Sequence, residues 1–381
     1  MAEFLTCLHA SQCSGCDWIT KSASAQRELK LENLRAAWTA AGLPTPPEIE
    51  WLGIDLGGLR DRVDLMIDSR QGDYRLGLFN RERSGILDLD SCPQLSPKLE
   101  QWLKEFRRHP IRVARGSVRL RVSPSGTRGV WLDLANIDVK TLLDERKTLD
   151  ALRAISVVEI GQRRKRLVER DGLLKLADPV LEPWFETYVS DVTAGAAAVP
   201  LYCTIGSFTQ PGFRANRALV GKVREAVAAT GARSAAEFGS GIGNFTLPLA
   251  SVCEHVKAYE VDGLALEGLR RSAEERGLTE RIEIHEGNFQ VDRKQKPDFA
   301  GIDLMLVDPP RSGLMKFLDP LEAMPLAERP THFVYVSCFA ESFTADTARL
   351  LAMGYRPTQL AIVDQFPQSR HYEIVASFRL G

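Results

Sequence analysis

Residues 233–238, 255–260, 281–285, 303–307 and 332–337 form five short apolar runs, with helical patterns such as DGLALEGLRRSAEERGL between them. A strand separated from the next by a helix lies parallel to it, with helices covering both faces of the resulting sheet. The second half of the chain is therefore predicted to be α/β, a doubly wound, Rossmann-like, mostly parallel sheet. Two further runs, 359–363 and 372–379, have no helix between them and are predicted to close the sheet as an antiparallel edge hairpin. Before residue 200 the chain is richer in arginine and less regular. Alternation over 117–134 predicts a hairpin about Pro124, Ser125 and Gly126, and 198–206 predicts another strand. These patterns divide the chain into an α+β part, 1–205, and the sheet domain, 206–381, with roughly the first 20 residues free to pack on the latter.

EFGSGIGNF, residues 237–245, leaves the first strand and opens a helix. Gly239, Gly241 and Gly243 permit a tight turn and close approach of the backbone to a ligand, and Glu260 ends the next strand nineteen residues after Gly241. An acid there reaches ribose hydroxyls, so the pair predicts a nucleotide-like ligand; dinucleotide, nucleotide and S-adenosylmethionine all fit the spacing. In LVDPPRSGL, 306–314, Asp308 closes the fourth strand, and Pro309 and Pro310 force an extended exit that holds it and Arg311 over the same edge. Cys338 follows the fifth strand in VYVSC. Its apolar neighbours suit a core thiol, and its place at the ligand edge suits a nucleophile.

These segments resemble the S-adenosylmethionine-dependent RNA uracil-5-methyltransferases, a family that includes enzymes of bacterial 23S rRNA and of tRNA. The likeness runs over nearly the whole chain and is carried by SFTQ (207–210), EFGSGIGNF, VDPPRSGL, YVSC (335–338) and FPQSRHYEIV (366–375). It implies a Rossmann-like methyltransferase domain that uses S-adenosyl-L-methionine. It further implies Cys338 as the nucleophile that adds to C6 of uracil, Glu373 as the base for the C5 proton, and Asp308 and Gln210 as polar partners of the base. Thiolate addition is what such chemistry needs, because C5 of uracil becomes nucleophilic only as part of an enolate. The cofactor residues so implied are Phe208, Gln210, Gly239, Gly241, Gly243, Glu260, Asn288 and Asp308. Two positions depart from the family pattern: Phe339-Ala340 replaces Asn-Pro, and Gly212 replaces an Asn.

Seven cysteines are an odd number and argue against a disulfide framework. Cys7, Cys13 and Cys16 in CLHASQCSGC, with Cys92 in DLDSCPQLSP, are spaced to wrap either a [4Fe-4S] cube or a tetrahedral zinc ion. The resemblance favours the cluster, set in an N-terminal iron-sulfur and RNA-binding domain. Cys203 and Cys253, in apolar surroundings, read as core thiols.

Forty-nine basic residues against fifty acidic ones leave no global positive field, so an RNA partner must be met by a local patch. The candidates are Arg60 and Arg62 in RDRVD, Arg107 and Arg108 in RRHPIRVARGSVRLR, and Arg163 and Arg164 in GQRRKRLVER. No stretch approaches roughly eighteen uninterrupted apolar residues and no signal-peptide pattern opens the chain, so the reading is cytoplasmic, without membrane or obligate protein partner. The resemblance points to a uridine of structured RNA, 23S rRNA ahead of the tRNA T-loop. A non-catalytic RNA-binding or redox-sensing iron-sulfur protein of the same fold is the reading of a different class.

Overall fold

The structure, a computed structural model, describes residues 3–70, 72–111, 113–134, 142–143, 145–161, 164–190, 198–287 and 299–381. Asn288 and Arg163 lie outside the described residues. The chain divides into two compact units: Met1–Ala23, Asp55–Phe185 and Cys203–Phe213 make one, and Ser24–Ile54, Glu186–Tyr202 and Arg214–Gly381 make the other. A single boundary at residue 205 therefore does not describe the units. Long-range strand pairing and helix docking bring 24–54 to the sheet unit, and local pattern carries no signal of either. Among the described residues no helix is long and apolar enough to cross a membrane.

The second unit is built on β1 (Ile49–Gly53), β12 (Ser234–Phe238), β13 (His255–Glu260), β14 (Ile282–Glu286), β15 (Leu304–Val307), β16 (His332–Ser337), β17 (Tyr355–Asp364) and β18 (Glu373–Leu380). Their order is β1-β17-β18-β16-β15-β12-β13-β14. β12 to β16 pair with one another in parallel, as predicted, and β18 runs antiparallel to both β16 and β17. The closing hairpin is not at the edge, however, because β1 pairs in parallel with β17 outside it. The runs of β15 and β16 are continuously apolar because both faces are covered. Met305, Val307, Phe333 and Tyr335 enter one core layer, and Leu304, Leu306, Val334 and Val336 the other. β12 lies between β13 and β15, so the chain order reverses there, and the crevice beyond the carboxyl ends of these strands is where such sheets hold ligands.

The first unit carries β2 (Arg62–Asp68), β3 (Arg75–Phe79), β4 (Ile86–Asp88), β5 (Arg115–Val122), β6 (Arg128–Asp133), β7 (Val157–Ile160), β8 (Lys165–Arg170) and β9 (Leu173–Ala177), ordered β4-β3-β2-β5-β6-β7-β8-β9. The β5–β6 hairpin is the one its alternation predicted, turning at Gly126 with φ +94°. Helix Pro97–Phe106 starts at Ser96, whose hydroxyl accepts from the Leu99 N–H, and packs Trp102 and Phe106 into this sheet's core. β10 (Glu182–Tyr188) and β11 (Ala198–Cys203) form a separate two-stranded sheet.

Candidate active site

The turn after β12 holds Gly239, Gly241 and Gly243 at φ +78°, +54° and +91°, a region that L side chains rarely adopt. A Cβ at Gly239 or Gly241 would meet nothing within 4 Å, so the loop frames open space that side chains would fill. At Gly243 a Cβ would come within 2.5 Å of Leu269 Cδ1, so that glycine serves packing of the loop on helix Gly263–Glu275. Glu260, at the end of β13, accepts the Gly241 N–H on Oε2 at 2.9 Å and the Val261 and Asp262 N–H groups on Oε1 at 2.7 and 2.9 Å. Its carboxylate is thus fixed beside the glycine turn.

Three further predicted residues converge on the same edge of the sheet. Asp308 follows β15 and Cys338 follows its parallel neighbour β16. Because β18 runs antiparallel to β16 with Ile374 opposite Ser337, Glu373 and Cys338, one residue further along each strand, come side by side. Glu373 is 5 % exposed, and loss of water raises its carboxyl well above the usual range, with Asp308 raising it further and Arg311 opposing. Burial likewise lifts Asp308 to about 7. Each carboxylate disfavours ionisation of the other, so both bind protons more tightly than free carboxylates do. The Cys338 thiol is raised by burial, then by Glu373 and Asp308, while a hydrogen bond from Arg311 favours the thiolate.

Sequence reasoning did not single out Glu237, the acid just before the glycine turn, although an acid in an apolar strand is itself a signal. It is 2 % exposed and takes a hydrogen bond from Thr246 at 2.6 Å. Burial, reinforced by Asp308 and Glu260, pushes it up to about 8.

A family model described as tRNA (Uracil-5-)-methyltransferase matches residues 188–377. An RNA methyltransferase of Bdellovibrio bacteriovorus is 42% identical over 374 residues, covering 97% of this chain and 94% of its own length. The chain belongs to the RNA uracil-5-methyltransferase family. Two 23S rRNA (uracil(1939)-C(5))-methyltransferases named RlmD are also similar. That of Chromohalobacter salexigens is 30% identical over 96% of this chain and 74% of its own, and that of Shewanella sp. (strain MR-4) is 28% identical over 98% and 82%. The fold is shared with the solved Pyrococcus abyssi tRNA (uracil-54, C5)-methyltransferase in complex with S-adenosyl-L-homocysteine, at 23% identity, TM-score 0.66, and coverage of 96% of this chain and 86% of that one.

In this uracil-5-methyltransferase the SFTQ segment belongs to the first unit. Phe208 is 75 % exposed, with the Arg62 guanidinium 5.5 Å from its ring centroid, and Gln210 is buried. Gly212 has a steric reason to depart from the family's Asn: a Cβ there would lie 2.0 Å from the Leu59 carbonyl oxygen and 2.8 Å from Asp61 Oδ2. At the other departure, Phe339 caps helix Ala340–Ala352 without a side-chain bond, and its N–H donates to the Ser337 hydroxyl at 3.3 Å.

The four predicted metal-ligating cysteines of the methyltransferase, Cys7, Cys13, Cys16 and Cys92, line one cavity of about 250 Å³ in the first unit, together with Arg60. The loop bearing the first three is tied to the β3–β4 hairpin by a bridge between Cys13 and Asn80 and by the Ser14 N–H donating to the Phe79 carbonyl at 3.1 Å. Among the described residues no three Cys, His, Asp or Glu side chains are gathered closely enough to grip a metal ion. Burial first, and the neighbouring thiols after it, push Cys16 up to about 12. Cys203 and Cys253 are buried, as core thiols should be.

The predicted RNA-contacting arginines do not act alike. Arg62 donates to the Thr209 carbonyl at 2.9 Å, and Arg107 spans the Asp88 carboxylate, at 2.6 Å to Oδ2, and the Leu89 carbonyl, at 2.9 Å. Both are drawn inward by partners in their own unit, a contact that a basic stretch in sequence does not reveal. Arg108 and Arg164 are exposed, Arg108 pairing with Glu105 at 2.8 Å.

Proposed function

We propose that the protein methylates C5 of a uridine in structured RNA, with 23S rRNA as substrate, through a covalent Cys338–C6 adduct. The observation that carries this reading is the alignment of Cys338, Asp308 and Glu373 on three adjacent strand ends, with Arg311 over them. The RlmD relatives, similar over nearly the whole chain, support the choice of 23S rRNA.

The open cradle at Gly239 and Gly241, with Glu260 pinned beside it, fits an adenosine-bearing ligand, and Gly243, Asn288 and Asp308 complete the set proposed for this unit. S-adenosylmethionine bound there supplies the electrophilic sulfonium methyl group. The Cys338 sulfur adds to C6, which leaves C5 as the nucleophilic carbon of an enolate. Asp308 holds the polar edge of the base and stabilises that enolate. After methyl transfer Glu373 takes the C5 proton, the C5–C6 double bond re-forms, and the Cys338 thiolate departs. The raised affinity of Glu373 for a proton suits this task.

Four thiols around one cavity fit a [4Fe-4S] cube, whose ligands stand farther apart than those of a single ion, and Cys7, Cys13, Cys16 and Cys92 would hold it. Iron and acid-labile sulfide in the purified protein support this assignment, and zinc without iron refutes it. Arg60, Arg108 and Arg164 remain in the proposed phosphate-contacting set with Arg163, whereas Arg62 and Arg107 chiefly anchor their own unit.

The decisive experiment offers 23S rRNA transcripts containing 5-fluorouridine, together with S-adenosylmethionine. A fluorine at C5 cannot be removed as a proton, so a denaturation-resistant protein–RNA adduct is expected with the native protein and none with Cys338→Ala. Absence of an adduct with the native protein, on both rRNA and tRNA transcripts, would sink the mechanism; an adduct on tRNA alone would reassign the substrate.

A further inference from the structure

Helix Ala23–Ala40 carries Gln26, Lys30 and Asn33 at i, i+4 and i+7, which places them on one helical face. A polar face of this kind ordinarily meets water, yet Gln26 is 2 % exposed and Lys30 0 %. Both instead bind the loop that leaves β17 at Asp364 and delivers Glu373 at the start of β18, and Asn33, itself exposed, binds the same loop. Lys30 Nζ donates to Asp364 Oδ1 at 2.7 Å and to the Phe366 carbonyl at 3.0 Å. Gln26 Nε2 donates to Gln368 Oε1 at 3.0 Å, while Gln26 Oε1 accepts the Gln368 backbone N–H at 2.7 Å. The Tyr372 hydroxyl, one residue before Glu373, donates to Asn33 Oδ1 at 2.7 Å.

Two features argue that this contact fixes geometry and is not ordinary packing. Gln368 is fully buried at φ +67°, a conformation costly to a residue with a Cβ, and the reciprocal amide bonds from Gln26 hold it there. The Lys30–Asp364 pair is buried, and apolar residues of similar volume commonly match or exceed the stability of such pairs. Its directed bonds fix where the loop runs, which an apolar contact would not do.

We propose that Gln26, Lys30 and Asn33 are positioning residues, holding the Asp364–Tyr372 loop so that the Glu373 carboxylate meets the C5 proton once the methyl group is in place. The inference rests on the reading of Glu373 as the base. Cys338 and Asp308 ride on β16 and β15, so addition and methyl transfer are set by other elements than this loop.

The test follows Gln26→Leu, Lys30→Met and the charge-free pair Lys30→Met/Asp364→Leu through a single turnover with transcribed 23S rRNA and methyl-labelled S-adenosylmethionine. Incorporation of label is expected to stay within a few-fold of the native rate, since the misplacement affects a later step. Release of methylated RNA is expected to slow about 10- to 100-fold, as a misplacement on the order of 1 Å does, so that a labelled covalent adduct accumulates. The paired variant leaves neither charge buried alone and keeps the test valid if Lys30→Met fails to fold. Equal losses in incorporation and release, or no change in either, overturn the proposal in favour of a purely structural helix. Glu373→Gln is run alongside. If it releases product at the native rate, the base assignment itself fails; if it traps the adduct and the helix variants do not, the positioning role alone fails.

Discussion

Asp346 joins the two segments that flank the candidate nucleophile to the loop bearing Asp308 and Arg311. It lies on helix Ala340–Ala352, 6 % exposed, and its Oδ2 accepts the Tyr335 hydroxyl of β16 at 2.6 Å and the Leu314 N–H at 2.7 Å. Asp346→Ala strands a buried phenol and a buried amide, each loss costing about 1–3 kcal/mol. The two bonds share one acceptor and do not add strictly, so a destabilisation of about 3–5 kcal/mol is expected, a large part of the roughly 5–15 kcal/mol that holds a domain folded. Tyr335→Phe removes one bond and should cost about 1–1.5 kcal/mol. The released loop also carries Asp308 and Arg311, and a shift of about 1 Å there lowers turnover on the order of 100-fold. Urea unfolding and steady-state methylation under native conditions measure the two effects. An Asp346→Ala protein with native midpoint and native turnover would refute the claim that this carboxylate anchors the site.

Glu237 binds a proton in the folded state up to about pH 8, well above the ordinary carboxyl range. Its contribution to stability is complete below the unfolded carboxyl's pKa and is lost as pH rises through about 8; Glu237→Gln should flatten that decline in a series of urea midpoints, and an unchanged slope would exclude Glu237 as its source. Gly239→Ala forces a Cβ into the left-handed region at φ +78° and into the open cradle. It should cost about 1–2 kcal/mol and weaken S-adenosylmethionine binding measured by calorimetry, whereas native affinity would place the ligand elsewhere.

Local pattern was sufficient for the parallel strands, the glycine turn and the acids and thiol at their carboxyl ends, because strand period and chain direction put those residues on one edge without reference to distant sequence. It also carried the β5–β6 hairpin, whose partners are adjacent in the chain. It did not assign 24–54 to the sheet unit: β1 finds its partner in β17, and helix Ala23–Ala40 finds Asp364, Gln368 and Tyr372, near the opposite end of the sequence. Nor could charge alone separate Arg107, which holds Asp88, from the exposed Arg108 beside it.

The sequence by itself thus determined the type of sheet, the sheet edge that carries the candidate site and the family to which the chain belongs. Only the tertiary structure decided which strand covers the closing hairpin, how burial and mutual repulsion raise the proton affinity of Asp308 and Glu373, and what holds the loop before Glu373 in place. Those depend on desolvation and on contacts between residues far apart in the chain, quantities that no local pattern of residue types encodes.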